Sequence, residues 1–201
     1  RSLKYTYLTM SAIKYKKVFD KVCTISQEVA NEISPFLYSD KEDWYQTALA
    51  YEFENNKLKA TKELNITQYY KEIPFTELKV DFFLHKEKLD IPQGLLVETK
   101  VSQTTEADID KWVNGIPKNT GGVAVYRKQL FRYIYSIQFH KSSEYNKADT
   151  GVLIYFSSAP TPAKEIEEGS VVGNFEIGLE LWQASNKKRT NFKLLDSYKS
   201  S

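Results

Sequence analysis

The chain has 201 residues, 41% of them hydrophobic and 27% charged, which suits one globular domain over 1–201 with a sizeable core. Lys and Arg number 28 against 26 Asp and Glu, so a net charge of +2 neither announces a nucleic-acid binder nor excludes one whose charges are segregated. A single cysteine, Cys23, excludes an internal disulfide framework and fits a reducing, intracellular compartment. No apolar run is long enough to span a membrane and no secretory signal is visible. Arg1 at the start implies an N-terminus that lies elsewhere or was removed. With only His85, His140 and Cys23 as imidazole and thiolate donors, a zinc site is not expected, and any metal here would be held through oxygen.

From Ser11 to Ile33 the apolar residues Val18, Val22, Ile25, Val29 and Ile33 recur at helical spacing and predict an amphipathic helix. Lys14, Lys17 and Lys21 share another of its faces, either as solvated charges or as phosphate contacts. Ser34-Pro35 ends it, because the residue before proline is pushed out of the helical region. Ser39 and Glu42 then have the spacing of a capping box, and Trp44, Tyr45, Ala48, Leu49, Tyr51 and Phe53 carry a second helix to about Asn55.

Lys59 to Tyr70 predicts a first strand, Tyr70-Lys71-Glu72 a turn, and Phe75 to His85 a second strand. Within the second, Asp81 is flanked by Val80, Phe82, Phe83 and Leu84, and a carboxylate buried there needs a cation, a metal or a hydrogen-bond donor. Leu89 to Gln93 loops back into Gly94-Leu95-Leu96-Val97-Glu98-Thr99-Lys100-Val101, a short apolar strand with two charges near its end. Alternation places Leu96, Glu98 and Lys100 on one face and Leu95, Val97, Thr99 and Val101 on the other. Strands joined this closely pair as an antiparallel meander, which brings Asp81 beside Glu98. Asp81, then seventeen positions on Glu98-Thr99-Lys100, can be read as an ordinary same-face ion pair on a solvated sheet or as the arrangement of a metal-dependent nuclease. Two carboxylates on adjacent strands suit a hard divalent cation, which polarises the scissile phosphate and acidifies water, and an ammonium beside them stabilises developing charge.

The chain resembles the PD-(D/E)XK nuclease superfamily, and within it a RecB-like group with a G-x-x-E-x-x-Y motif. Glu42-Asp43-Trp44-Tyr45 supplies E-x-x-Y and Ala48-Leu49-Ala50-Tyr51-Glu52 the A-L-x-x-E that follows. Leu64 to Lys71 is similar to the next strand and turn, Val80-Asp81 stands at the metal-binding Asp, and Glu98-Thr99-Lys100 is the E-x-K. Gln129-Leu130-Phe131-Arg132-Tyr133 is similar to a Q-x-x-x-Y helix motif, and Gly151 to Phe156 to the strand after it. The chain differs in Ser39 for glycine, in Val80 for proline, in an insertion over 102–123, and in a tail after Phe156.

The resemblance implies a restriction-endonuclease-like α/β core (αβββαβ, a mixed central sheet flanked by helices) over about 39–156. The helix of 11–33 would precede it and a β extension over 157–201 would follow. It implies that Asp81, Glu98 and the Thr99 carbonyl hold Mg2+ or Mn2+, that Glu42 adds a further acidic ligand, and that Lys100 is the catalytic lysine. Gln129 and Tyr133 would line the site and hold substrate or the lysine. The charges of Arg127, Lys128 and Arg132 themselves suit either phosphate contacts or, by default, plain solvation.

The remaining stretches are less informative. Thr104 to Trp112 predicts a short capped helix in a loop beside the site, and its Glu106, Asp108 and Asp110 lack the glycine and closing glutamate of an EF-hand. Tyr126 to about Phe139 predicts a helix. Ser157 to Pro162 has a linker composition, and Asn174 to Trp182 alternates strictly, predicting a strand at a sheet edge followed by a basic turn, Lys187-Lys188-Arg189. The expectation is a Mg- or Mn-dependent endonuclease-type phosphodiester hydrolase acting on nucleic acid, DNA before RNA, of unassigned oligomeric state. The alternative is a catalytically inactive nucleic-acid-binding module of the same fold.

Overall fold

The computed structural model describes residues 2–33, 42–102, 123–158 and 175–200. Helix α1 (Ser2–Ile33) begins before the stretch whose periodicity predicted it and ends immediately ahead of Ser34-Pro35. Val18, Val22, Ile25 and Val29 are buried as their spacing requires, and Tyr15, Phe19, Cys23 and Ala30 widen the stripe. Two lysines of its polar face are engaged within the chain: Lys14 Nζ lies 2.7 Å from Asp90 Oδ1, and Lys21 Nζ donates to the Asn56 carbonyl at 2.7 Å. Helix α2 (Glu42–Asn55) opens on Glu42, and the Ser39 half of the expected capping box lies outside the described residues. The helix expected near Thr104 to Trp112 lies outside them too.

Among the described residues six strands form one mixed sheet in chain order: β1 (Ala60–Tyr70), β2 (Ile73–Leu84), β3 (Leu95–Ser102), β4 (Thr150–Ser158), β5 (Phe175–Ala184) and β6 (Phe192–Lys199). Neighbours are antiparallel except β3 and β4, which run parallel. A parallel pair needs a crossover, and helix α3 (Val123–Ser136) lies in that connection. Helices α1 and α2 pack on one face with Leu95, Val97, Val152, Ile154 and Phe156, and α3 packs on the other with Leu96, Leu153 and Tyr155. Strand β4 is accordingly buried at every position from Val152 to Phe156, the mark of a strand covered on both sides. This is the mixed α/β architecture, helices flanking a central mixed sheet, that the sequence leads one to expect of a restriction-endonuclease-like fold.

One expectation at the C-terminal end needs correction. The alternating strand is not at the edge: β5 is flanked by β4 and β6. Its Ile177, Leu179 and Leu181 face the α1–α2 core, while Trp182 on the opposite face packs in the α3 layer. The true outer strand, β6, mixes Lys193, Asp196 and Ser197 with apolar residues and so shows no clear alternation. In the basic turn Lys187 and Lys188 are exposed, whereas Arg189 is held inside the chain. Arg189 donates to the carbonyls of Asn146, at 2.8 Å, and Ile134, at 3.3 Å, and so locks the turn onto the end of α3.

One irregularity positions the site. Ala60 packs with the α1–α2 core, but Leu64 and Ile66 belong to the α3 core; likewise Phe82 and Leu84 belong to the first and Val80 to the second. Residues an even number apart share a face in a regular strand, so both strands change face along one rung. Lys62 pairs with Phe82 and Leu64 with Val80, which leaves Glu63 and Asp81 between them. Glu63 has φ of 56°, a left-handed conformation that non-glycine residues seldom adopt. The face change turns Asp81 out of both cores.

Candidate active site

Strand β2 pairs with β3 only from Leu84–Leu95 to Phe82–Val97. Past that point the Asp81 carboxylate takes the partner's role. Its Oδ2 accepts from the Thr99 main-chain N–H at 2.7 Å and from the Thr99 hydroxyl at 2.5 Å. A strand residue points its N–H and C=O to the same edge, so the Thr99 carbonyl opens into the same gap. The expected antiparallel meander does bring Asp81 beside Glu98, and the site exists because the ladder stops there.

Glu98 and Lys100 project together from the α3 face of β3, with Lys100 Nζ 2.7 Å from Glu98 Oε1; their side chains are 1% and 12% exposed. This is a buried pair rather than a solvated one. Lys100 Nζ also donates to Glu42 Oε1 at 3.2 Å, and Gln46 Nε2 reaches the same oxygen at 3.3 Å. The first residue of α2 therefore comes into the cluster as expected, and in this structure its carboxylate is a partner of the lysine. Tyr126, on α3, places its ring 6.0 Å from the same ammonium.

The electrostatics follow from crowding carboxylates where water is scarce. Burial, then the neighbouring Asp81 charge, push Glu98 up to about 8, against the pull of Lys100. Burial raises Asp81, with the Thr99 hydrogen bonds opposing it, and burial raises Glu42 against Lys100. Burial works against the Lys100 charge too, but the Glu98 and Glu42 carboxylates outweigh it and hold the ammonium above its ordinary range. Three acids around one base disfavour full ionisation of the carboxyls unless a further cation joins them.

The residues expected to line the site are on α3. Gln129 Nε2 donates to Tyr133 Oη at 2.6 Å, and the Tyr133 phenol is raised to about 12 by burial and by the Glu98 charge, which places it next to the cluster. Arg132 is further out, its guanidinium fixed on Gln68 Oε1 of β1 through Nε at 3.1 Å and through a terminal nitrogen. Arg127 is not available to phosphate. It is buried, its guanidinium grips Glu180 of β5 bidentately, and Trp182 Nε1 closes the set at 2.7 Å from Glu180 Oε2. The sequence contained no signal for this, since the partners are 53 positions apart. Gln46 was missed as well, although its place one helical turn after Glu42 is the available clue.

The donor set fits a hard divalent cation. Among the described residues Glu98 Oε2 is buried without a hydrogen-bond partner, an arrangement that costs free energy unless something positive meets it. Asp81 and Glu98 supply carboxylate oxygen and Thr99 a carbonyl oxygen, the hard ligands that magnesium and manganese take. Among the described residues no three His, Cys, Asp or Glu side chains are assembled as a complete cage, so the carbonyl matters to the set.

Residues 16–113 match the model of a family described as the PD-(D/E)XK nuclease superfamily. The match covers a little under half the chain and includes Glu42, Asp81, Glu98, Thr99 and Lys100, but stops before the α3 residues. No curated protein and no solved structure matches the chain. Among the described residues no helix is long and apolar enough to cross a membrane.

Proposed function

We infer that the chain is a divalent-metal-dependent nuclease of the PD-(D/E)XK type that hydrolyses phosphodiester bonds in nucleic acid, DNA before RNA. The observation that carries the reading is the unpartnered, buried Glu98 Oε2 beside Asp81, with Lys100 held in the same cluster. The similarity of residues 16–113 to a nuclease family supports it independently.

In this reading Asp81, Glu98 and the Thr99 carbonyl hold Mg2+ or Mn2+, with Glu42 as an outer acidic group. The bound ion would supply a Lewis acid at the scissile phosphate. The remaining work belongs to the chain. Lys100, positioned by Glu98 and Glu42, directs its ammonium at the attacking water and at the charge that builds up on the phosphoryl oxygens. Thr99 fixes the orientation of Asp81 through two hydrogen bonds, so that little reorganisation is needed during the reaction. Gln129 and Tyr133 bound the substrate side, and Arg132 meets a phosphate beyond the cut.

Manganese titration by calorimetry on the parent and on Glu98→Ala tests the metal site before any substrate is chosen. The expected result is binding by the parent that disappears in the variant. A parent that binds no divalent metal would overturn the reading. A parent that binds manganese but cleaves neither DNA nor RNA would leave an inactive binding module.

A further inference from the structure

A groove of about 310 Å³ opens between α3 and β2, lined by Leu78, Val125, Lys128, Gln129, Arg132 and Tyr133. Its inner end is the buried Tyr133, and its wall residue Leu78 lies three positions before Asp81 on β2. At its outer end Arg132 is held on Gln68, and Gln68 Nε2 in turn donates to Ser136 Oγ at 3.0 Å. The guanidinium is thus oriented before any partner arrives, at the cost of few free rotamers on binding.

Beyond Gln68 the β1–β2 hairpin runs out past the rest of the sheet and carries Tyr70, Ile73 and Phe75, exposed 65%, 66% and 67%. Three large apolar side chains on one hairpin end are a liability in water unless a partner covers them. Lys71 lies 5.7 Å from the Tyr70 ring centroid, so the tip also carries a cation. Asp81 lies six positions along the extended strand from Phe75, about 20 Å at the usual rise. The site, the groove and the tip therefore follow one another along a single strand.

The two kinds of surface discriminate between partners. A duplex buries its base faces within its own stack and offers phosphates to Lys128 and Arg132, leaving the rings and the apolar wall of Leu78 and Val125 unused. An unpaired strand offers both phosphates and base faces, and bases stack on aromatic side chains without regard to sequence. We propose that this groove and hairpin tip form a binding track for single-stranded nucleic acid, which feeds an unpaired strand to the Asp81–Glu98–Lys100 cluster. The inference rests on the nuclease reading for what happens at the inner end, but not for the binding itself.

The test is fluorescence anisotropy with labelled oligothymidylate and a labelled duplex of the same length, in EDTA so that nothing is cut. The parent is expected to bind the single strand more tightly. Tyr70→Ser with Phe75→Ser should weaken single-strand binding by about tenfold or more, the loss of one or two stacked bases, and leave the duplex unaffected. Arg132→Gln should weaken binding and reduce the salt dependence by about one phosphate contact. Equal affinity for the duplex, or unchanged single-strand binding in both variants, overturns the proposal. A manganese cleavage assay on the parent separates the two readings: duplex cleavage without single-strand preference retains the nuclease and removes the track. Single-strand binding without any cleavage retains the track and removes the nuclease.

Discussion

Asp81 accepts the main-chain N–H of Thr99 at 2.7 Å, at the point where the main chain of β2 has ceased to pair with β3. A side chain completes the ladder, and the edge of β3 that it leaves open is where Glu98, Lys100 and the Thr99 carbonyl become useful. The unpaired stretch of strand and the concentration of acid are thus two results of one departure from regular sheet.

Glu98→Gln should abolish most cleavage while stabilising the metal-free protein. The amide keeps the shape and removes the ionised oxygen that has no partner. Cleavage is expected to fall at least ~10²-fold, the scale of losing one preorganised charge contact, and metal-free stability above neutral pH to rise on the order of 1–3 kcal/mol. Urea unfolding in EDTA beside a cleavage assay checks both. A variant that is less active and also less stable would mean that Glu98 is a structural partner of Lys100 and nothing more.

The same carboxyl sets a pH dependence. Its folded value of about 8 lies above its ordinary 4.5, so between these values the folded state keeps a proton that the unfolded state releases. The Glu98 contribution to metal-free stability is therefore full below about 4.5, lost as pH rises through this window, and constant above about 8. Melting temperatures across this range, taken as the difference between the parent and Glu98→Gln, isolate the effect. Saturating manganese should reverse it, and a difference that stays flat with pH would count against the burial argument.

The Arg127–Glu180 pair should behave as a buried ion pair. Arg127→Ala strands the Glu180 carboxylate, which is fully buried, and is expected to cost about 3–5 kcal/mol. Arg127→Met with Glu180→Leu should cost less than Arg127→Ala alone, because neither charge is left uncompensated. Chemical denaturation of both variants decides the matter. Equal losses would mean that the pair holds α3 by packing and not by charge.

Gly94→Ala tests the entry to β3. A Cβ there would come within 2.1 Å of the Phe83 ring, and Phe83 is fully buried. The expected loss is about 1–3 kcal/mol, read as a lower urea midpoint with an unchanged slope. An unaltered midpoint would show that the ring can swing aside.

The sequence by itself determined the local elements and the chemistry placed on them. The period of Val18, Val22, Ile25 and Val29 was enough for α1, and Pro35 for its end, because both act within one or two helical turns. The alternation in β3 already put Glu98 and Lys100 on one face, and the short loop before it already implied that β2 would deliver Asp81 nearby. Gln129 and Tyr133, four positions apart, share a helix face for the same local reason.

What only the tertiary structure decided is which charges are spent. Lys14 and Lys21 looked like a basic face and are committed to Asp90 and to the Asn56 carbonyl, while Arg127 is committed to Glu180 and Arg189 to two carbonyls beside α3. Arg132 looked no different in the sequence, and it stands oriented at a groove. Nor does period-two counting foresee that β1 and β2 exchange faces at Glu63 and Asp81, since alternation assumes a regular strand. Partners tens of residues apart meet only when the sheet closes, and local spacing has no information about that meeting. Residue types and their order settle which chemistry the chain can carry; the packing of α3 against β1, β2 and β5 settles which of those side chains remain available for it.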